Sequence, residues 1–189
     1  MLSIWLAAIA LGMGLLLAYS FTPGTLAQAP PRWPASSRLA RAGDRPTLVM
    51  VAHPHCSCTR ASIAELARLM THLSGQLRGY VVFIKPNGMD RDWERTDLRS
   101  SAARIDGIQV IDDPGGAEAR HFGAVTSGQV YLYDKAGELL FRGGITPTRS
   151  HEGDNVGRRR IVDLVTMGVT DRALSAVFGC SLQKEPSPT

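Results

Sequence analysis

Cysteine is scarce in this chain, three residues among 189, which excludes a disulfide-stapled scaffold. Aromatic residues are also few, at 6%, yet hydrophobic residues reach 44%, so a core of useful size is available. No internal repeat is visible, and the length fits one globular domain plus an appendage. Clustered charge is missing as well. The net charge of +4 comes largely from scattered arginine, and Arg158-Arg159-Arg160 is the only basic run. That run falls where a helix should begin, so it reads as a solvated helical face and not as a nucleic-acid surface.

What is present begins at the N-terminus. Residues 2–21 carry no charge and are dominated by Leu, Ala, Ile, Met and Gly, about the length that crosses a bilayer core. A cleaved signal peptide wants a positive n-region, and no Lys or Arg precedes the run. Ala27-Gln28-Ala29 offers a small-residue site, but Pro30 follows it directly. Residues 1–21 are therefore expected to be an uncleaved membrane anchor. Residues 22–43, rich in Pro, Ala, Gly and Ser at their start, read as a flexible tether. Residues 44–168 are expected to fold, and residues 169–189 to form a C-terminal tail.

The folded part alternates strand and helix patterns. Residues 48–52 are a short apolar run between Pro46 and Pro54, as a buried central strand would be. Ile63, Leu66, Ala67, Met70 and Leu73 recur at helical spacing until Gly75. Residues 80–84 give a second strand, 92–104 a polar helix, and 108–111 a third strand. Asp113-Pro114 is expected to open a helix running to about Phe122. Residues 130–133 and 138–141 then flank a Gly-bearing turn as a β-hairpin. A last helix covers 156–167, with Ile161, Leu164 and Val165 inward. Strand–helix units followed by a hairpin and a helix predict an α/β fold with a mixed sheet covered on both faces.

Two of the thiols stand at the first strand-to-helix junction, in His53-Pro54-His55-Cys56-Ser57-Cys58. A helix N-terminus stabilises a thiolate over a thiol, and the thiolate is the form that attacks disulfides and binds soft metals. Residues two apart in an extended chain lie near or beyond the span of a disulfide. A Cys56–Cys58 bridge is thus feasible only at the corner, strained and labile, more an electron carrier than a staple. Cys56 is the expected attacking thiol and Cys58 the resolving one, while His53 and His55 can tune or accept a proton. Cys180 can fold back as a third redox partner or simply pack.

The order of elements, with a dithiol after the first buried strand, resembles the thioredoxin fold over about residues 44–168. A closer likeness is to bacterial membrane-tethered thioredoxin-like proteins called RedB. It is carried by the His-Pro-His-Cys-x-Cys stretch and by Gly143-Gly144-Ile145-Thr146 with His151-Glu152-Gly153-Asp154-Asn155. The resemblance implies a fold and redox chemistry, not a substrate; the function expected of the chain is that of a thiol–disulfide oxidoreductase cycling Cys56 and Cys58, without a cofactor, with a protein thiol or disulfide as its partner. The resemblance also brings the loop after Gly144 to the dithiol, which makes His151 and Glu152 candidate acid–base or ligand groups. Asp154 or Asn155 would cap the last helix.

Two departures matter. One residue separates the thiols where the family has two, and Gly128 stands where the family has a cis-proline that blocks metal from the cysteines. The alternative reading is therefore a copper-binding chaperone or sensor using Cys56, Cys58 and His151, since thiolate and imidazole suit Cu(I) or Zn²⁺. A peroxiredoxin-like peroxide reductase is a second alternative. Arg32, Arg38 and Arg41 follow the span and favour a cytoplasmic domain by the positive-inside rule. Long domains translocate despite such charge, and the expected location is the bacterial inner membrane, single-pass, with the domain in the periplasm.

Overall fold

Thr47–Ala52, between its two prolines, forms β1, and every residue of it is buried. The structure is a computed structural model describing residues 2–90, 92–93, 95–168 and 173–182. Before β1 comes α1 (Leu2–Phe21), long and apolar enough to cross a membrane and with no buried residue. After β1 the chain turns into α2 (Ser57–His72), then β2 (Arg78–Lys85), parallel to β1. α3 (Asp97–Ala103) leads to β3 (Ile108–Pro114), parallel to β2, and α4 (Ala117–His121) follows.

β4 (Gln129–Tyr133) returns antiparallel on the other side of β1, and β5 (Leu139–Gly143) pairs antiparallel with β4. α5 (Val156–Thr166) and the short β6 (Ala173–Leu174), parallel to β5, complete a sheet of order β3-β2-β1-β4-β5-β6.

Alternation along the strands divides the core in two. Leu48, Met50, Phe83 and Leu132 face α2 and α5, where Leu66, Leu69 and Ile161 meet them. Val49, Val51, Tyr80, Tyr131 and Tyr133 face the opposite side and pack with Phe122 and Leu39. Leu66 is fully buried, and truncation to Ala at such a site costs about 2–5 kcal/mol.

Three sequence expectations differ from the structure. α3 begins at Asp97 because Thr96 caps it, accepting a hydrogen bond from the Arg99 N–H. Pro114 ends β3 instead of opening a helix. The Asp113 carboxylate waits there to accept the N–H groups of Glu118 and Ala119, so α4 is only five residues long.

The third difference concerns residues 22–43, which lie along the domain as a strap. Trp33 packs edge-on against Phe122 and Tyr133, and its main-chain N–H donates to the Gly137 carbonyl at 2.7 Å. The buried Glu118 carboxylate accepts from Ser37 Oγ at 2.6 Å and the Arg38 N–H at 3.0 Å. Tyr133 Oη donates to the Pro30 carbonyl at 3.1 Å.

Candidate functional site

The site is built where β1 ends. A turn over residues 53–56 is closed by the Cys56 N–H on the His53 carbonyl, 3.2 Å. The Thr59 hydroxyl donates to that same carbonyl at 3.1 Å, which fixes the corner against the first turn of α2. Cys56 is thereby the N-cap residue of α2, in extended backbone, and Cys58 lies on the helix's first turn. Both are buried, each 3% exposed.

The third thiol arrives from the far end of the chain. Cys180 Sγ lies 2.9 Å from Cys56 Sγ, and the three sulfurs all fall within 4.8 Å of one another. The segment carrying Cys180 is bound on both flanks. Its carbonyl accepts the Ser127 N–H at 2.8 Å, and the Leu182 N–H reaches the Val125 carbonyl at 2.9 Å. Thr126 and Ser181 form an antiparallel bridge. Gly179 passes so close to the Ser127 carbonyl that a Cβ there would collide with it. Ser127 ties this to the dithiol corner, since its hydroxyl accepts from the His53 N–H at 2.8 Å and contacts Thr59 Oγ1 at 2.8 Å.

Electrostatics separates the sulfurs. Burial pushes the Cys56 thiol up, but contact with the Cys180 sulfur and the amides of Cys180, Cys58 and Thr59 outweigh it, and the net shift is downward. Cys180 is pushed up to about 12, first by burial and then by Cys56. Cys56 is therefore the more acidic of the two thiols in contact.

The other candidate residues are placed as follows. His55 is exposed, its Nε2 2.8 Å from the Trp93 carbonyl and its ring 4.8 Å from the indole. His53 is held below its ordinary value, first by burial and then by the proximity of His55. The loop after β5 does come to the thiols, but through Ser150. Its hydroxyl lies 3.4 Å from both Ser57 Oγ and Cys58 Sγ. Ser150 has φ 57, the one positive non-glycine value among the described residues, a strained conformation at the edge of the site.

His151 Nδ1 instead contacts the Arg149 carbonyl at 2.6 Å. Glu152 pairs with Arg68 at 2.7 Å. Asn155 caps α5 by accepting the Arg158 N–H at 2.7 Å. Gly128 has φ 83 and donates its N–H to the Val51 carbonyl at 2.8 Å, and a Cβ there would press on Ser62 Oγ.

Several residues escaped the sequence reading. Glu65, fully buried on α2, accepts from Gly153 N–H at 2.8 Å and pairs with Arg158 at 2.7 Å and with Arg68. It fastens the loop of residues 150–155 beside the thiols. The signal available was its place one turn from Ser62 and Leu69 on the inward face. Arg149, on the loop expected near the dithiol, had no role assigned from sequence. Its Nη1 donates to the Gly179 carbonyl at 2.8 Å, while its N–H and Nε reach the Ser20 and Thr22 carbonyls at the end of α1, each 3.1 Å. A cavity of 690 Å³ opens beside the corner, lined by His53, Ile84, Met89, Trp93, Ser181 and Leu182. Another, of 710 Å³ between α2 and α5, is lined by Arg68 and Arg158–Arg160 and contains none of the sulfurs.

Thiols at the C-terminal end of a central strand, at the start of the following helix, in a sheet with two parallel neighbours and an antiparallel hairpin, decide the fold. It is thioredoxin-like. No protein-family model and no curated protein matches the sequence. Among solved structures, an uncharacterized conserved protein from Geobacillus kaustophilus is similar, with a TM-score of 0.62 at 18% identity, over 89% of this chain and 95% of the other. A hypothetical protein from Sinorhizobium meliloti 1021 gives 0.59 at 20% identity, over 86% and 94%. A secreted disulfide oxidoreductase of Mycobacterium tuberculosis is more distant, at 0.47 and 12% identity, over 63% and 82%. At these identities the likeness is one of fold, and the chemistry of this thioredoxin-like chain has to come from its own site.

Proposed function

We propose that this chain is a thiol–disulfide oxidoreductase, tethered by α1 to the bacterial inner membrane with its domain in the periplasm, and that Cys56 is its nucleophile. The observation that carries this reading is the pair of sulfurs at 2.9 Å on a helix N-terminus. That setting favours a thiolate next to a second thiol. In the first step the Cys56 thiolate attacks a disulfide of a substrate protein. A Cys56–substrate disulfide forms, the substrate S–S bond breaks and one substrate thiolate leaves. A second thiol of this chain then attacks Cys56 Sγ and releases the other substrate sulfur. The substrate gains two electrons, the chain's dithiol loses two, and a protein dithiol elsewhere restores it. His55, next in sequence to Cys56 and exposed, is the ring available to the departing sulfur's proton. The contacts of His151 and Glu152 give both a share in holding the loop.

The test is redox equilibration of the full chain in detergent against glutathione buffers. A reversible two-electron couple that disappears in Cys56→Ser is expected. A couple that survives that substitution, or no couple at all, would sink the reading.

One observation favours a second reading, copper binding. Two sulfurs sharing an ion at about 2.3 Å each can be at most about 4.6 Å apart, close to the 4.8 Å spread of Cys56, Cys58 and Cys180. Cys180 then takes the place expected of His151, and three thiolates suit a soft cation. Competition for Cu(I) against a colorimetric chelator tests it. Tight binding lost on Cys180→Ser but kept on His151→Ala supports it, and binding no tighter than the chelator's removes it.

A further inference from the structure

We propose that Cys180, not Cys58, is the thiol that resolves the mixed disulfide on Cys56, which makes the C-terminal segment a moving part of the redox cycle. This rests on the oxidoreductase reading above and assigns its second sulfur.

Distance favours Cys180. Its sulfur touches that of Cys56 at 2.9 Å, so less than about 1 Å of approach separates them from a bond of about 2.05 Å. Cys58 makes its contact to Ser150 instead. Helix geometry disfavours Cys58 further. Cys58 Sγ itself lies within 4.8 Å of Cys56 Sγ, but it is fixed on the first turn of α2. Bridging the two would unwind the turn that the Thr59 N–H makes on the Cys56 carbonyl, 3.0 Å.

Access points the same way. Cys56 is buried, whereas Cys180 is exposed. Cys180 is therefore the cover over the nucleophile, and an incoming disulfide must push it aside to reach Cys56. The segment can give without being lost, because its main-chain bonds to Ser127 and Val125 flank the thiol and lead it back. Gly179 is the residue that allows this close seating against Ser127.

The step balances. With the substrate sulfur held on Cys56, the Cys180 thiol gives up its proton and its sulfur attacks Cys56 Sγ. The Cys56–Cys180 bond forms, the Cys56–substrate bond breaks, and the departing thiolate takes up a proton. A dithiol protein of the same compartment then reduces the Cys56–Cys180 disulfide by the reverse exchange.

The experiment uses the full chain in detergent with oxidised glutathione as the disulfide and, for turnover, dithiothreitol as the dithiol that restores the chain. After acid quench and alkylation, tandem mass spectrometry maps the linkage. Wild type should yield Cys56–Cys180. Cys180→Ser should accumulate glutathione on Cys56, with turnover down by about 100-fold, while Cys58→Ser keeps both the linkage and the turnover. Gly179→Ala keeps every thiol but unseats the segment, and should accumulate the same mixed disulfide. A Cys56–Cys58 linkage together with full turnover in Cys180→Ser would overturn this inference and leave the oxidoreductase standing. Turnover that persists in Cys56→Ser would overturn both.

Discussion

At the scale of single residues, the decisive feature is that two sulfurs in contact are shifted in opposite directions. Cys56 is shifted down and Cys180 up to about 12. Iodoacetamide alkylation followed by mass spectrometry should therefore label Cys56 at a pH below the usual thiol range of about 8.5 and Cys180 last. Cys56→Ser should bring Cys180 back toward ordinary reactivity, because it removes the neighbouring charge. Stability follows with a definite sign. A thiol raised on folding favours the folded state least when it must ionise, so the Cys180 contribution erodes as pH climbs from the ordinary thiol range toward about 12. His53 acts at the other end. Its folded value is depressed, so the unfolded chain binds the proton first and stability falls as pH drops below about 6.5. Melting temperatures between pH 7 and 5 should show a loss that His53→Asn reduces. Asn keeps an acceptor for the His55 N–H, which His53 Nδ1 now receives at 3.1 Å.

At the scale of elements, α2 is both the electrostatic support of Cys56 and the post to which the neighbouring loop is tied. Glu65 makes that tie with no exposure of its own. Removing one partner of such a buried pair costs about 3–5 kcal/mol, so Glu65→Gln should show a lower urea midpoint and freer alkylation of Cys58. Gly128→Ala is expected to destabilise through both its φ of 83 and the contact with Ser62. How much of this the chain declares in advance depends on how local the cause is. β1, α2 and the hairpin were legible because apolar spacing and turn residues act within a few positions. A cap at Asp154 or Asn155 was legible for the same reason, and Asn155 is the residue that supplies it. α4 was misread because Asp113 caps it from the end of a strand, and Pro114 mimics a helix start. Cys56 and Cys58 announced themselves by their neighbours. Cys180 stayed open between redox partner and packing residue, because its partner lies 124 residues away, and no local pattern records that distance.

At the scale of the whole molecule, the N-terminal strap shows the limit of composition. Pro-, Ala- and Ser-rich chain reads as solvated linker, yet Trp33 and the Glu118 contacts give it a berth that only the folded surface supplies. Trp33→Ala should lower stability by about 2 kcal/mol, less than for a fully buried indole, measured by thermal melting. It should also loosen residues 22–43 to limited proteolysis. The berth has a geometric outcome. A free chain of that length would let the domain wander roughly 25 Å from its anchor. Arg149 denies it that freedom, because one guanidinium lies over Tyr19, bonds the exit of α1, and holds Gly179 beside the outermost sulfur. With α1 in a bilayer, the reactive thiols have a fixed altitude, low over the headgroups. On the oxidoreductase proposal, substrates would then be chosen by depth as well as by chemistry, and a disulfide displayed far above the membrane would be out of range.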